Sequence, residues 1–189
     1  TESADLAKEW ACVENIDGFA NKYELKTDNL KILKLSNYTI LHWLALLVKY
    51  RSFLVHTPIM KNGKDWLLKN FLLKLENYDI VIGYRADDSY FSFARAFLNN
   101  EISIKQLSYA MKLGKLGEQI VLKSKKAFEQ IKFLNYELAN NKIYYSKRKN
   151  RDVKARLAFQ KELEHDDTDG IFIRDIIREK IKENDIRIR

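Results

Sequence analysis

Two short polar constellations stand at the ends of apolar runs, and their residue types can do chemistry. In the first, Glu118 and Gln119 open the run EQIVL directly after the glycine-bearing stretch LGKLG. A carboxylate at a strand mouth can stabilise a developing positive charge, such as an oxocarbenium ion, or orient a nucleophile. The neighbouring amide can hydrogen-bond a ribose or orient the same centre. If both residues lie in the strand, alternation sends them to opposite faces. One then faces a cleft, while the other is solvated or structural. In the second constellation, Arg85, Asp87 and Asp88 follow directly on YDIVIG (78–83), where a strand leads into a helix. Such loops are common places for binding residues. The same three residues would also serve as an ordinary N-cap carboxylate with an arginine paired to it.

A third candidate is electrostatic. Between positions 142 and 161 stand Lys142, Lys147, Arg148, Lys149, Arg151, Lys154, Arg156 and Lys161, opposed by Asp152 alone. With Tyr144 and Tyr145 as stacking surfaces, this run is a candidate nucleic-acid contact centred on Lys147, Arg148 and Lys149. A solvated helix face with partial acidic pairing is the commoner use of such a run. Other chemistries find less support. His42, His56 and His165 lack metal-ligand spacing, so no metal site is expected. His42 falls in an apolar helix and reads as a satisfied core or groove histidine. Cys12 is the single cysteine, so no internal disulfide can form, which fits a reducing cytoplasm. No Gly-rich phosphate loop occurs.

These residues need elements to hold them. Thr1 or Ser3 can cap a first helix whose apolar positions are Leu6, Ala7, Trp10 and Ala11. Asp17-Gly18 marks a turn. FANKYELK (19–26) and LKILKL (30–35) read as half-buried strands with one wet face. YTILHWLALLVKYR (38–51) is apolar almost all round and predicts a buried helix. Pro58 is placed in the loop after it, and KDWLLKNFLLKL (64–75) predicts a second helix. YDIVIG is a short β-branched run, hence a buried strand. Residues 86–100 and 103–114 predict two further helices, the latter stopped by Gly114. EQIVLKS (118–124) is a strand, and 124–131 a short helix or turn. IKFLNYELA fits either a strand or a helix. From about Ala139 aliphatics thin out and charges crowd in, and the isoleucine-bearing end (171–189) reads as a helix that docks back on the body.

With 46% hydrophobic residues in 189, the chain can bury a real core. A net charge of +8 favours anionic partners. No apolar run approaches the ~20 residues of a membrane span. The opening TESADLAKEW lacks the basic start and apolar stretch of a signal peptide. It begins inside a helix cap without an initiator methionine, as expected of a processed chain or a fragment.

Four stretches, TESADLAKEWA, HWLALLVKYR, YDIVIGYRADDSYF and LGKLGEQIVLKSKKAF, together resemble a bacterial family of unknown function related to ADP-ribosyltransferases. The resemblance covers roughly residues 1–135. It implies an α+β fold, the split β-sandwich of ADP-ribosyltransferases with surrounding helices, over 1–138, lacking its N-terminal strands here. Residues 139–189 would be a basic, mainly helical extension. It also implies NAD as substrate and transfer of ADP-ribose to a macromolecular acceptor, as in a toxin with an antitoxin-like partner. Such sites combine a histidine or arginine, a tyrosine or serine, and a glutamate or glutamine at the start of a third strand. Gln119 or Glu118 matches that third element, with Arg85, Asp87 and Asp88 near the cofactor. The first two elements would precede Thr1.

Overall fold

A computed structural model describes residues 1–84 and 91–188. The chain forms two compact units, each assembled from three stretches. Unit 1 comprises Thr1–Lys34, Leu75–Arg85 and Gly114–Arg156; unit 2 comprises Leu35–Lys74, Ala86–Leu113 and Leu157–Arg189. The architecture is α+β.

Unit 1 holds both sheets. Its first helix, α1 (Ala4–Ala11), is capped by Ser3, whose Oγ accepts the Leu6 N–H at 3.2 Å. Strand β1 (Gly18–Leu25) pairs antiparallel with β5 (Ile131–Ala139), so the ambiguous IKFLNYELA run is a strand. The register shifts at Lys22/Tyr23, where Leu134 is the extra residue of a bulge. The wet face of this ribbon is not the polar one. Gly18 and Ala20 are buried, while Phe19, Tyr23, Phe133, Tyr136 and Leu138 are half or more exposed. The reason is the approach of α1: a Cβ on Gly18 would lie 1.9 Å from the Ala11 carbonyl oxygen, so only small side chains fit the helix side. Cys12 is fully buried there, and its Sγ donates to the Ala139 carbonyl at 3.2 Å.

The second sheet has the order β2 (Ile32–Lys34), β3 (Ile80–Tyr84), β4 (Glu118–Leu122). β2 runs parallel to β3, and β3 antiparallel to β4. One end of this sheet is tied by Asp79. Its side chain accepts the Lys31 N–H at 2.8 Å and the Ser124 hydroxyl at 2.6 Å, and its carbonyl accepts the Lys123 N–H at 2.8 Å. Ser124 in turn caps α6 (Lys125–Phe128). The long helix α7 (Asn141–Leu163) starts where Asp17 accepts the Asn141 backbone N–H at 2.8 Å.

Unit 2 is helical. α2 (Ile40–Tyr50) is buried from Leu41 through Val48, as its all-round apolar pattern requires. It packs with α3 (Pro58–Asn70) and α5 (Ile104–Ala110). α3 begins six residues before the expected start because Pro58 is its first residue rather than a loop residue. Thr57 caps it, and a proline at N1 forfeits no hydrogen bond. α3 also packs on α4 (Phe91–Leu98) and α8 (Ile173–Arg178). A Cβ on Gly63 would meet Ile173 at 2.8 Å, which marks the closeness of that contact. The isoleucine-bearing end does dock: Ile173, Ile176 and Ile181 are buried. Among the described residues, no helix is long and apolar enough to cross a membrane.

Candidate functional site

Register decides where the polar pair at the head of β4 can point. Glu118 is paired with Tyr84 and Gln119 with Gly83. Directly paired residues share a face. Gln119 therefore lies with Gly83, Val121, Val81 and Leu33, and Glu118 with Ile120, Ile82 and Ile80. The two polar residues occupy opposite faces, as alternation requires. Gln119 is half-buried, Glu118 exposed. The residue opposite Gln119 is a buried glycine, so no side chain of β3 stands directly across from the amide. Neither Glu118 nor Gln119 makes a side-chain hydrogen bond or ion pair among the described residues.

The lead-in to β4 is a turn of left-handed residues: Gly114 at φ 80°, Lys115 at 47° and Gly117 at 64°. Glycine is the residue that takes this conformation without steric cost. The Leu6 side chain lies 3.5 Å from where a Cβ of Gly117 would be. The far end of the same sheet is the Asp79 clamp. Two backbone and side-chain donors hold the Asp79 carboxyl below its ordinary pKa, first the Lys31 N–H and then the Ser124 hydroxyl. The clamp fixes the β3–β4 register, and the register places Gln119 against Gly83. Asp79 was not singled out from sequence, and its signal is faint: an aspartate just before a β-branched run.

Arg85, Asp87 and Asp88 lie outside the described residues, immediately after Tyr84. Of the basic trio, Lys147 sits 3.3 Å from Asp5 and over the Tyr144 ring at 5.0 Å. Arg148 stacks on Trp10 and on Tyr145, 5.2 Å from each ring, and donates to the Cys12 carbonyl at 3.4 Å. Arg151 donates to Glu9 at 2.5 Å. Much of the basic run therefore docks α7 on α1. Lys149 and Lys154 make no side-chain hydrogen bond or ion pair among the described residues, while the charge of Lys142 acts on the Asp17 carboxylate.

Among the described residues, no three His, Cys, Asp or Glu side chains converge as a metal site would need. His42 is buried, but not satisfied. Its Nδ1 lies 2.9 Å from the Thr39 hydroxyl, while Nε2, 3.5 Å from a Glu183 oxygen, has no hydrogen-bond partner. Burial lowers the His42 pKa, and the nearby Glu183 carboxylate partly offsets it.

No curated protein and no solved structure matches this chain. A family model matches residues 1–133, which span α1 to the first residues of β5 and include Glu118 and Gln119. The chain belongs to that family, described as "Protein of unknown function (DUF3990)".

Proposed function

We propose that this protein is an ADP-ribosyltransferase-like enzyme that transfers ADP-ribose from NAD to a macromolecular acceptor, with the head of β4 as its third catalytic element. One observation carries this reading: Glu118 and Gln119 open a strand side by side, on opposite faces, without a side-chain hydrogen bond or ion pair among the described residues, with a glycine across from Gln119. Two separate sheets within one unit are compatible with a split β-sandwich. The net charge of +8 suits a substrate that carries a pyrophosphate.

In this reaction the bond between nicotinamide nitrogen and the ribose anomeric carbon breaks. Nicotinamide leaves with the electron pair, and the ribose acquires oxocarbenium character. The acceptor nucleophile adds to that carbon and gives up its proton. A carboxylate next to the ribose stabilises the cation more than an amide can, which favours Glu118 as the charged partner. Gln119 then hydrogen-bonds the ribose or orients the acceptor. Arg85, Asp87 and Asp88, following β3, are assigned to the cofactor. A toxin role with an antitoxin-like binding partner is consistent with this chemistry.

The test is label transfer from radiolabelled NAD to lysate proteins by the full-length gene product, beside its Glu118→Ala and Gln119→Ala variants. Labelling lost in either variant supports the reading; labelling that persists in both, and in the double variant, overturns it. A second reading, nucleic-acid binding along residues 142–161, rests on Lys149 and Lys154, which make no side-chain hydrogen bond or ion pair among the described residues. It requires affinity that falls steeply with salt.

A further inference from the structure

Unit 2 carries a second constellation that the NAD chemistry does not use. A pocket of about 630 Å³ is lined by Thr39, His42 and Glu183, together with Tyr38, Asn37 and Asn184. Thr39 is the N-cap of α2, the position whose hydroxyl ordinarily accepts a helix N–H. Here it makes no such bond and turns to His42 Nδ1 at 2.9 Å. The opposite ring nitrogen, Nε2, is buried and unpartnered, with a Glu183 oxygen 3.5 Å away. The carboxylate decides the tautomer. A lone pair on Nε2 would face negative charge, so the proton sits on Nε2 and Nδ1 accepts from Thr39. The ring itself is held between aromatic neighbours, edge-on to Phe71 at 5.4 Å and tilted against Tyr38 at 5.2 Å between centroids.

Hydroxyl, imidazole and carboxylate thus stand in the order of a nucleophile, its base and the group that orients the base. We propose that Thr39, His42 and Glu183 form a nucleophilic acyl-transfer site acting on small acyl esters. The Thr39 proton passes to His42 Nδ1 as Oγ1 bonds to the ester carbonyl carbon. The bond to the leaving alkoxide breaks, and the alkoxide takes the proton from His42. Water, deprotonated by the same nitrogen, then attacks the acyl-threonine; the Oγ1–acyl bond breaks, the proton returns to Thr39, and the acid is released. Glu183, more than half exposed, is free to close on the imidazolium as it forms. Burial keeps His42 neutral and therefore able to act as a base.

The folded chain is treated with a fluorophosphonate probe, the modified residue is mapped by mass spectrometry, and turnover of p-nitrophenyl acetate is followed in parallel. The expected result is one adduct, on Thr39, absent from heat-denatured protein. Thr39→Val abolishes adduct and turnover, Thr39→Ser retains both, and Glu183→Gln slows labelling by roughly 10²-fold or more. No adduct on the native chain, or an adduct on another residue, overturns the proposal. So does turnover undiminished in Thr39→Val. Mapping on the unmutated chain decides the matter even if a variant fails to fold, and neither measurement involves NAD.

Discussion

Arg151 on α7 donates a 2.5 Å hydrogen bond to Glu9 on α1, and the Glu9 side chain is only 1% exposed. Each partner keeps one buried polar atom unsatisfied, Oε2 of Glu9 and Nη1 of Arg151. The pair therefore fastens α7 to α1 without fully compensating its own burial. Desolvation outweighs the attraction of Arg151 and raises the Glu9 pKa above its ordinary 4.5. Removing Arg151 leaves a buried carboxylate without its ion-pair partner, with only the positive charges of Lys147 and Arg148 still attracting it among the described residues. Arg151→Met is expected to lower the stability of the chain by about 3 kcal/mol near neutral pH, in the range for breaking a buried pair. The sign with pH follows from the raised value. Glu9's contribution is full below pH 4.5 and is lost as pH rises through its folded pKa. The variant's deficit should therefore shrink toward pH 4.5, where the carboxyl is protonated in the fold. Urea denaturation of both proteins at pH 4.5 and pH 8 checks this; an equal deficit at the two values refutes it.

The Asp79 clamp makes the opposite kind of prediction. Its carboxyl is held below 3.8 by the Lys31 N–H and the Ser124 hydroxyl. A depressed carboxylate contributes stability above its unfolded pKa, and that stability is lost as pH falls through the folded one. Asp79→Ala should lower the urea midpoint at neutral pH and flatten the acid limb of the stability curve below about pH 4. An acid limb unchanged in the variant would count against the clamp.

His42 gives a third, independent pH signature. Burial lowers its pKa from 6.5, with Glu183 and the Thr39 backbone acting the other way. Between the folded value and 6.5 the unfolded chain binds the proton and the folded chain does not, so stability rises with pH across that window. Among the described residues the titratable groups against the ring are the Glu183 carboxylate and the Tyr38 phenol; Thr39 and Phe71 are its other neighbours. His42→Gln should remove this slope while leaving the acid limb from Asp79 in place. Chemical denaturation in half-unit pH steps from 5 to 7.5 separates the two.

Much of the fold was legible because single elements carry their own signals. The all-apolar α2, the β-branched β3 and the capping serine of α1 follow from local pattern alone. Pro58 misled because proline marks both loops and first helical residues, and only the Thr57 cap distinguishes them. The Ile131–Ala139 stretch was undecidable because its burial is set by a partner: β1 lies more than a hundred positions away in sequence. The same non-locality hid the ribbon's inversion, since nothing in FANKYELK announces that α1 leaves room only for glycine and alanine. At the candidate site, alternation of Glu118 and Gln119 was readable from spacing. That Gly83 stands across from Gln119 was not, because register depends on the Asp79 clamp at the other end of the sheet. The basic run was visible as charge, but its pairing with Glu9, Asp5 and Trp10 is a property of the α1–α7 contact.

Glu118 and Gln119 have no protein partner among the described residues, so replacing either should leave stability within about 0.5 kcal/mol of the parent. Any large loss of activity would then be chemical rather than structural. Under the proposed transferase reading the two should also differ in kind. Glu118→Gln keeps shape and hydrogen-bonding capacity but removes the charge that opposes an oxocarbenium ion. It should reduce NAD-dependent labelling by about 10²-fold or more, comparable to the loss of one transition-state contact. Gln119→Glu keeps an acceptor on the ribose side and should retain more activity than Gln119→Ala. Thermal melts of the variants, run beside NAD label transfer, make the comparison. If Glu118→Gln labels as well as the parent while Gln119→Ala is silent, the amide is the third catalytic element and Glu118 is a solvated neighbour on the other face of β4.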